Sequence, residues 1–153
     1  MKRDIVILCI GSSQIVGDSV GPMVGDYLVS MGVKAYVYGT MAHPVNAKNL
    51  ETYVSMVNSY HRNSIMVVVD ATVGDKRDVG EVKINSDGVK PGGAINRNLP
   101  RIGDIGVLGV VAKRSKSLIT ALMNVDIKVV ESIALKIGRL LMSSFGQSAK
   151  NAF

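Results

Sequence analysis

Tryptophan is absent, cysteine occurs once, as Cys9, and only two histidines, His43 and His61, are present. A single cysteine excludes an intramolecular disulfide framework, and inside an apolar run it reads as a buried thiol of a reducing compartment. Aromatic residues make up 5% of the chain, too few for the stacking platforms of a nucleic-acid binder. The excess of 18 Lys and Arg over 12 Asp and Glu, a net charge of +6, favours acidic partners, although dispersed basic residues ordinarily make only a soluble face. No stretch approaches the ~20 apolar residues of a membrane span. The apolar run after Met1-Lys2-Arg3-Asp4 is too short for a signal peptide, and no small-residue cleavage site follows it. These absences lead to the expectation of a cytoplasmic protein with no membrane contact and no nucleic-acid surface.

What is present is apolar and glycine-rich: 47% hydrophobic residues and 16 glycines, the composition of an α/β domain with Val/Ile-rich strands. We expect one domain over residues 1–146 and a frayed tail over 147–153. Ile5 to Ile10 is apolar at every position, as in a strand of a parallel sheet covered on both faces. Helical spacing follows over about 19–31, a second strand over 33–38, a loop over 39–44 and a second helix from 46 or 47 to 60. Ser64 to Asp70 is the third strand, ending on an acid, with a loop over 72–78. Residues 80–85 alternate like an antiparallel edge. The segment 86–101, rich in Gly, Pro and Asn, reads as a long loop. Strands over 105–112 and 118–125 are expected next. Asp126 then caps a helix over 127–144, with Val130, Ile133, Ala134, Ile137 and Leu141 as its apolar stripe.

In parallel sheets ligands bind beyond the carboxyl ends of the strands, which singles out the loop after the first strand. Gly11 and Gly17 bracket it, but the spacing is one residue too long for a phosphate loop, and Asp18 stands where that loop needs Lys. The dinucleotide pattern G-x-G-x-x-G is absent. Gly17-Asp18-Ser19-Val20-Gly21 satisfies G-x-S-x-G, yet both histidines lie early in the chain, unlike the late base of such hydrolases. The remaining reading is a carboxylate pair, Asp18 and Asp70, at the ends of two neighbouring strands, sharing a proton and working as general acid and base. The alternative is that Asp18 caps the first helix and Asp70 binds loop amides.

Four segments in series carry a resemblance. Gly17-Asp18-Ser19-Val20-Gly21-Pro22, Val69-Asp70-Ala71, Asp87-Gly88-Val89-Lys90-Pro91-Gly92-Gly93-Ala94, and Tyr38-Gly39-Thr40 with Pro44-Val45 resemble the germination (spore) proteases and, more closely, the short sporulation proteins of the YyaC type. The resemblance runs from Ile5 to about Val111. It implies a three-layer α/β/α fold with a mostly parallel, doubly wound sheet, shared with the hydrogenase maturation endopeptidases. It also implies endopeptidase chemistry in which Asp18 and Asp70 are catalytic. In the maturation enzymes the corresponding acids help bind nickel together with a histidine. Here Lys90 stands where that histidine is expected, so neither metal nor cofactor is expected. Candidate substrate contacts are Ser19, His43, Gly92, Gly93, Asn96 and Arg97, with Arg101 beside them. The expected partner is a protein or peptide, with small acid-soluble spore proteins as candidates, and a homo-oligomer is compatible. A non-catalytic relative holding a peptide in the same cleft is the alternative.

Overall fold

The computed structural model describes residues 2–91 and 100–149. The first strand, β1 (Asp4–Cys9), leads through a 3-10 turn at Val16–Asp18 into α1 (Val20–Ser30), followed by β2 (Tyr36–Tyr38) and α2 (Leu50–Tyr60). Then come β3 (Ser64–Gly74), β4 (Val82–Asn85), β5 (Ile105–Lys113), α3 (Leu118–Met123) and α4 (Ile127–Phe145). The strands form one sheet in the order β2-β1-β3-β5-β4. β1 pairs in parallel with β2 and β3, β3 pairs in parallel with β5, and β4 runs antiparallel on the edge.

Side-chain alternation divides the strands between two apolar layers. Ile7, Cys9, Val67, Val69, Val107 and Val111 pack with Val20, Val24 and Leu28 of α1 and with the stripe of α4. Val6, Leu8, Met66 and Val68 pack on the opposite face with Leu50 and Val57 of α2 and with Val89. Covered on both faces, the central strands have no polar alternation, which is why they read as unbroken apolar runs. The result is the expected three-layer α/β/α architecture. The α4 stripe is buried at every expected position, and the Asp126 carboxylate accepts a hydrogen bond from the Lys128 amide at 2.9 Å. Cys9 is fully buried. Among the described residues no helix is long and apolar enough to cross a membrane.

Three expectations need correction. The expected strand over 118–125 is instead the helix Leu118–Met123: the Ser117 side chain accepts from the Thr120 amide to start α3, and Leu, Ala and Met are strong helix formers. The third strand does not stop at Asp70 but runs to Gly74 along β5, with a register shift between Thr72 and Val73. The second strand shrinks to Tyr36–Tyr38. Its expected start at Val33 instead bridges Gln147. Of the segment 147–153, residues 147–149 are described, and there the Ser148 amide donates to the Gly32 carbonyl at 2.7 Å.

Candidate active site

From β1 the chain crosses to β2 on one side and returns to β3 on the other. The crevice between the carboxyl ends of β1 and β3 is therefore the switch point of the sheet, where open α/β sheets hold their ligands. Both acids border it. The register of β1 with β3 ends at Cys9↔Val69, and Asp70, the next residue of β3, lies opposite Leu108 of β5. Asp70 sits inside its strand, at the step where β1 gives way to the turn that carries Asp18.

Glycines make that turn close. A Cβ on Gly21 would overlap the Ile10 carbonyl oxygen, and one on Gly11 would overlap the carbonyl of Asp18. The first turn of α1 thus lies directly on the end of β1. The Ser12 amide donates to the Asp18 carbonyl at 2.8 Å, which locks the loop onto the residue it presents.

The side chains of the pair differ in surroundings. Asp70 is 6% exposed, and its Oδ1 accepts from the Ala71 amide at 2.8 Å. Burial, then the charge of Asp18, push its carboxyl well above the usual range, with the Ala71 amide opposing them. Asp18 is partly exposed, and burial pushes it up to about 6. The asymmetry has two causes: Asp70 is the more deeply buried of the two, and it must ionise beside the charge of Asp18. As pH rises the pair therefore gives up its first proton at Asp18 and holds the second on the more deeply buried Asp70. Asp18 does not cap α1, whose N-cap is Ser19 with no side-chain cap bond.

The other candidates fare differently. Ser19 is 3% exposed, and its hydroxyl donates to the Val16 carbonyl at 2.6 Å. A hydroxyl so committed shapes the turn, which argues against both substrate contact and a serine nucleophile. His43 is exposed in a turn where its amide donates to Thr40 Oγ1, and it joins no cluster with the acids. Gly92, Gly93, Asn96 and Arg97 lie outside the described residues, while Arg101 pairs with Asp87 at 3.4 Å. For the metal that the resemblance raises, the donor set does not fit. Among the described residues no group of three or more His, Cys, Asp or Glu is placed to hold an ion.

The family described as protein of unknown function (DUF1256) matches residues 1–139. This chain belongs to the DUF1256 family. Protein YyaC of Bacillus subtilis strain 168 is 36% identical to it over 110 residues, 71% of this chain and 54% of the relative. The DUF1256 chain thus spans about half the length of the curated relative it matches. Among solved structures, the [NiFe] hydrogenase maturation protease HycI from Thermococcus kodakarensis KOD1 superposes with a TM-score of 0.63 at 17% identity, covering 93% of this chain and 92% of that one. The hydrogenase maturating endopeptidase HybD from E. coli gives a TM-score of 0.59 at 14% identity, covering 92% and 91%. At such identities the likeness shows the fold: this DUF1256 member has the fold of the hydrogenase maturation proteases.

One cluster escaped the sequence reading of this DUF1256 chain. Tyr38 Oη and His61 Nε2 are 2.7 Å apart, with the Tyr36 ring 4.5 Å from the imidazole and Asp4 3.9 Å from Nδ1. It fastens α2 to the β2 side of the sheet. Nothing in the spacing of these four residues announces it, because strand pairing brings them together.

Proposed function

We propose that this protein is an endopeptidase of the germination protease type, in which Asp18 is the general base and Asp70 the general acid around one water. The observation that supports it is the buried Asp70 carboxyl at the switch point, pushed well above the usual carboxylate range by burial and by the charge of Asp18. A water between them gives a proton to Asp18 as its oxygen attacks the peptide carbonyl. Asp70 gives its proton to the amide nitrogen as the C–N bond breaks, so both groups change state once and no cofactor enters. A buried acid held neutral at pH 7 is suited to donating, and one with a pKa near 6 to accepting. The arms of the 86–104 segment, through Val89 and Ile102, pack on the Val68 face of the sheet. By alternation Asp70 lies on that same face, as do Val89 and Ile102.

The resemblance to sporulation proteins directs the choice of substrate and setting: the cytoplasm of a sporulating cell, and a purified small acid-soluble spore protein as the first substrate tested. Cleavage is expected to follow a bell-shaped pH dependence. Its acid limb lies near pH 6, as Asp18 ionises, and the rate falls at higher pH as Asp70 loses its proton. A limb near pH 4 would contradict the assignment of roles. Failure to cleave both the spore protein and a broad peptide library would overturn the enzyme reading in favour of a binding protein.

A further inference from the structure

The candidate cleft has an apolar shoulder that the chemistry does not use. α3 packs on the turn that carries Asp18: a Cβ on Gly17 would come within 2.6 Å of the Leu122 carbonyl oxygen and 2.8 Å of the Val125 side chain. Leu122 is buried, but Ile119 is 51% and Met123 61% exposed. Four positions apart, they lie on one face of the helix. Large apolar side chains in that position cost free energy unless something covers them, and next to a catalytic cleft the simplest cover is substrate.

The charge beside them restricts what that substrate is. Lys113 at the end of β5 and Arg114 and Lys116 on the connection that enters α3 are all exposed. Arg114 is held by Asp75 at 3.1 Å, whereas Lys113 and Lys116 have no ion-pair partner among the described residues. On the other side of α3, Asp126 is committed to capping α4.

We propose that α3 is a docking surface for an acidic substrate segment with apolar side chains, which seat on Ile119 and Met123 while its carboxylates meet Lys113 and Lys116. The proposal rests on the peptidase reading and names the class of substrate that reading requires. Long-range attraction by the two lysines would speed encounter and weaken with salt.

The test is fluorescence anisotropy of the full chain with a fluorescein-labelled peptide of alternating Glu and Leu, and with its Lys-for-Glu counterpart. Binding is expected for the acidic peptide only, weakened about tenfold or more by Ile119→Ser with Met123→Ser, and likewise by Lys113→Glu with Lys116→Glu. Circular dichroism of each variant reports that the fold is kept. Equal binding of the two peptides, or unchanged affinity in both folded double variants, overturns the proposal. So does sedimentation showing that Ile119 and Met123 bind a second copy of the chain instead. Since anisotropy needs no hydrolysis, binding that is lost in the α3 variants but never followed by cleavage leaves this surface standing and removes the peptidase reading.

Discussion

Asp18→Asn and Asp70→Asn are each expected to reduce cleavage by about 10²–10⁴-fold, the usual contribution of a positioned acid or base, while making the folded protein more stable at pH 7.5. The two effects have one origin. Each acid has a folded pKa above its unfolded value near 3.8, so between those values the folded state holds protons that the unfolded chain releases. Stability is therefore greatest below about pH 4 and falls as pH rises, for Asp18 through the window from 3.8 to about 6. A shift of about two units at ~1.4 kcal/mol each sets a ceiling of about 3 kcal/mol for Asp18. Its partial exposure screens the charge and reduces this to about 1–2 kcal/mol. The larger gain belongs to Asp70→Asn, whose amide oxygen can still accept from the Ala71 amide. Urea denaturation at pH 7.5 and pH 3.5 checks the claim: the gain is present at the first and gone at the second. Loss of stability in both variants at pH 7.5 would show that the carboxylates are structural.

Gly21→Ala is expected to destabilise the fold by about 2–3 kcal/mol, the upper part of the range for overpacking. Elsewhere in a helix the same change gains up to about 1 kcal/mol, because Gly is a poor helix former. Here the methyl group would collide with main-chain atoms of Ile10, which cannot rotate away like a side chain. Since that contact fixes the spacing of β1 and α1, any folded variant also carries Asp18 out of place, and cleavage falls with stability. A neutral or stabilising result in thermal denaturation would contradict the close approach.

The elements buried on both faces were legible in the sequence because nothing but burial selects an unbroken run such as Ile5 to Ile10 or Ile65 to Val69. The α4 stripe was legible because a cap, Asp126, and a 3.6-residue period agree. α3 was missed because six residues are too few to show a period, although Ser117 three positions before Thr120 and the i, i+4 pair Ile119 and Met123 carried the signal. The extension of β3 to Gly74 was also missed. Ala71-Thr72-Val73-Gly74 looks like a loop, and only the partner strand β5 makes it β.

The site was legible in part. Asp70 stood out as the acid that ends an apolar run and Asp18 as the acid of the loop after the first strand, but their neighbourhood follows from the placement of β1 beside β3, which no local pattern encodes. Ser19 and His43 were candidates because their loops follow the first two strands. The hydroxyl turned out to serve the Val16 carbonyl, and the imidazole lies on the exposed turn after β2.

The measurement that bears most directly on the acid pair is a carbon-13 NMR titration of the side-chain carboxyls in the full chain and in Asp18→Asn. In the full chain, Asp18 is expected to titrate near 6 and Asp70 well above the ordinary carboxylate range. In Asp18→Asn, the Asp70 transition moves down, because the charge that helped to hold its proton is gone. Both carboxyls titrating near 4, or an Asp70 transition unmoved by Asp18→Asn, would mean that the two acids do not share a site.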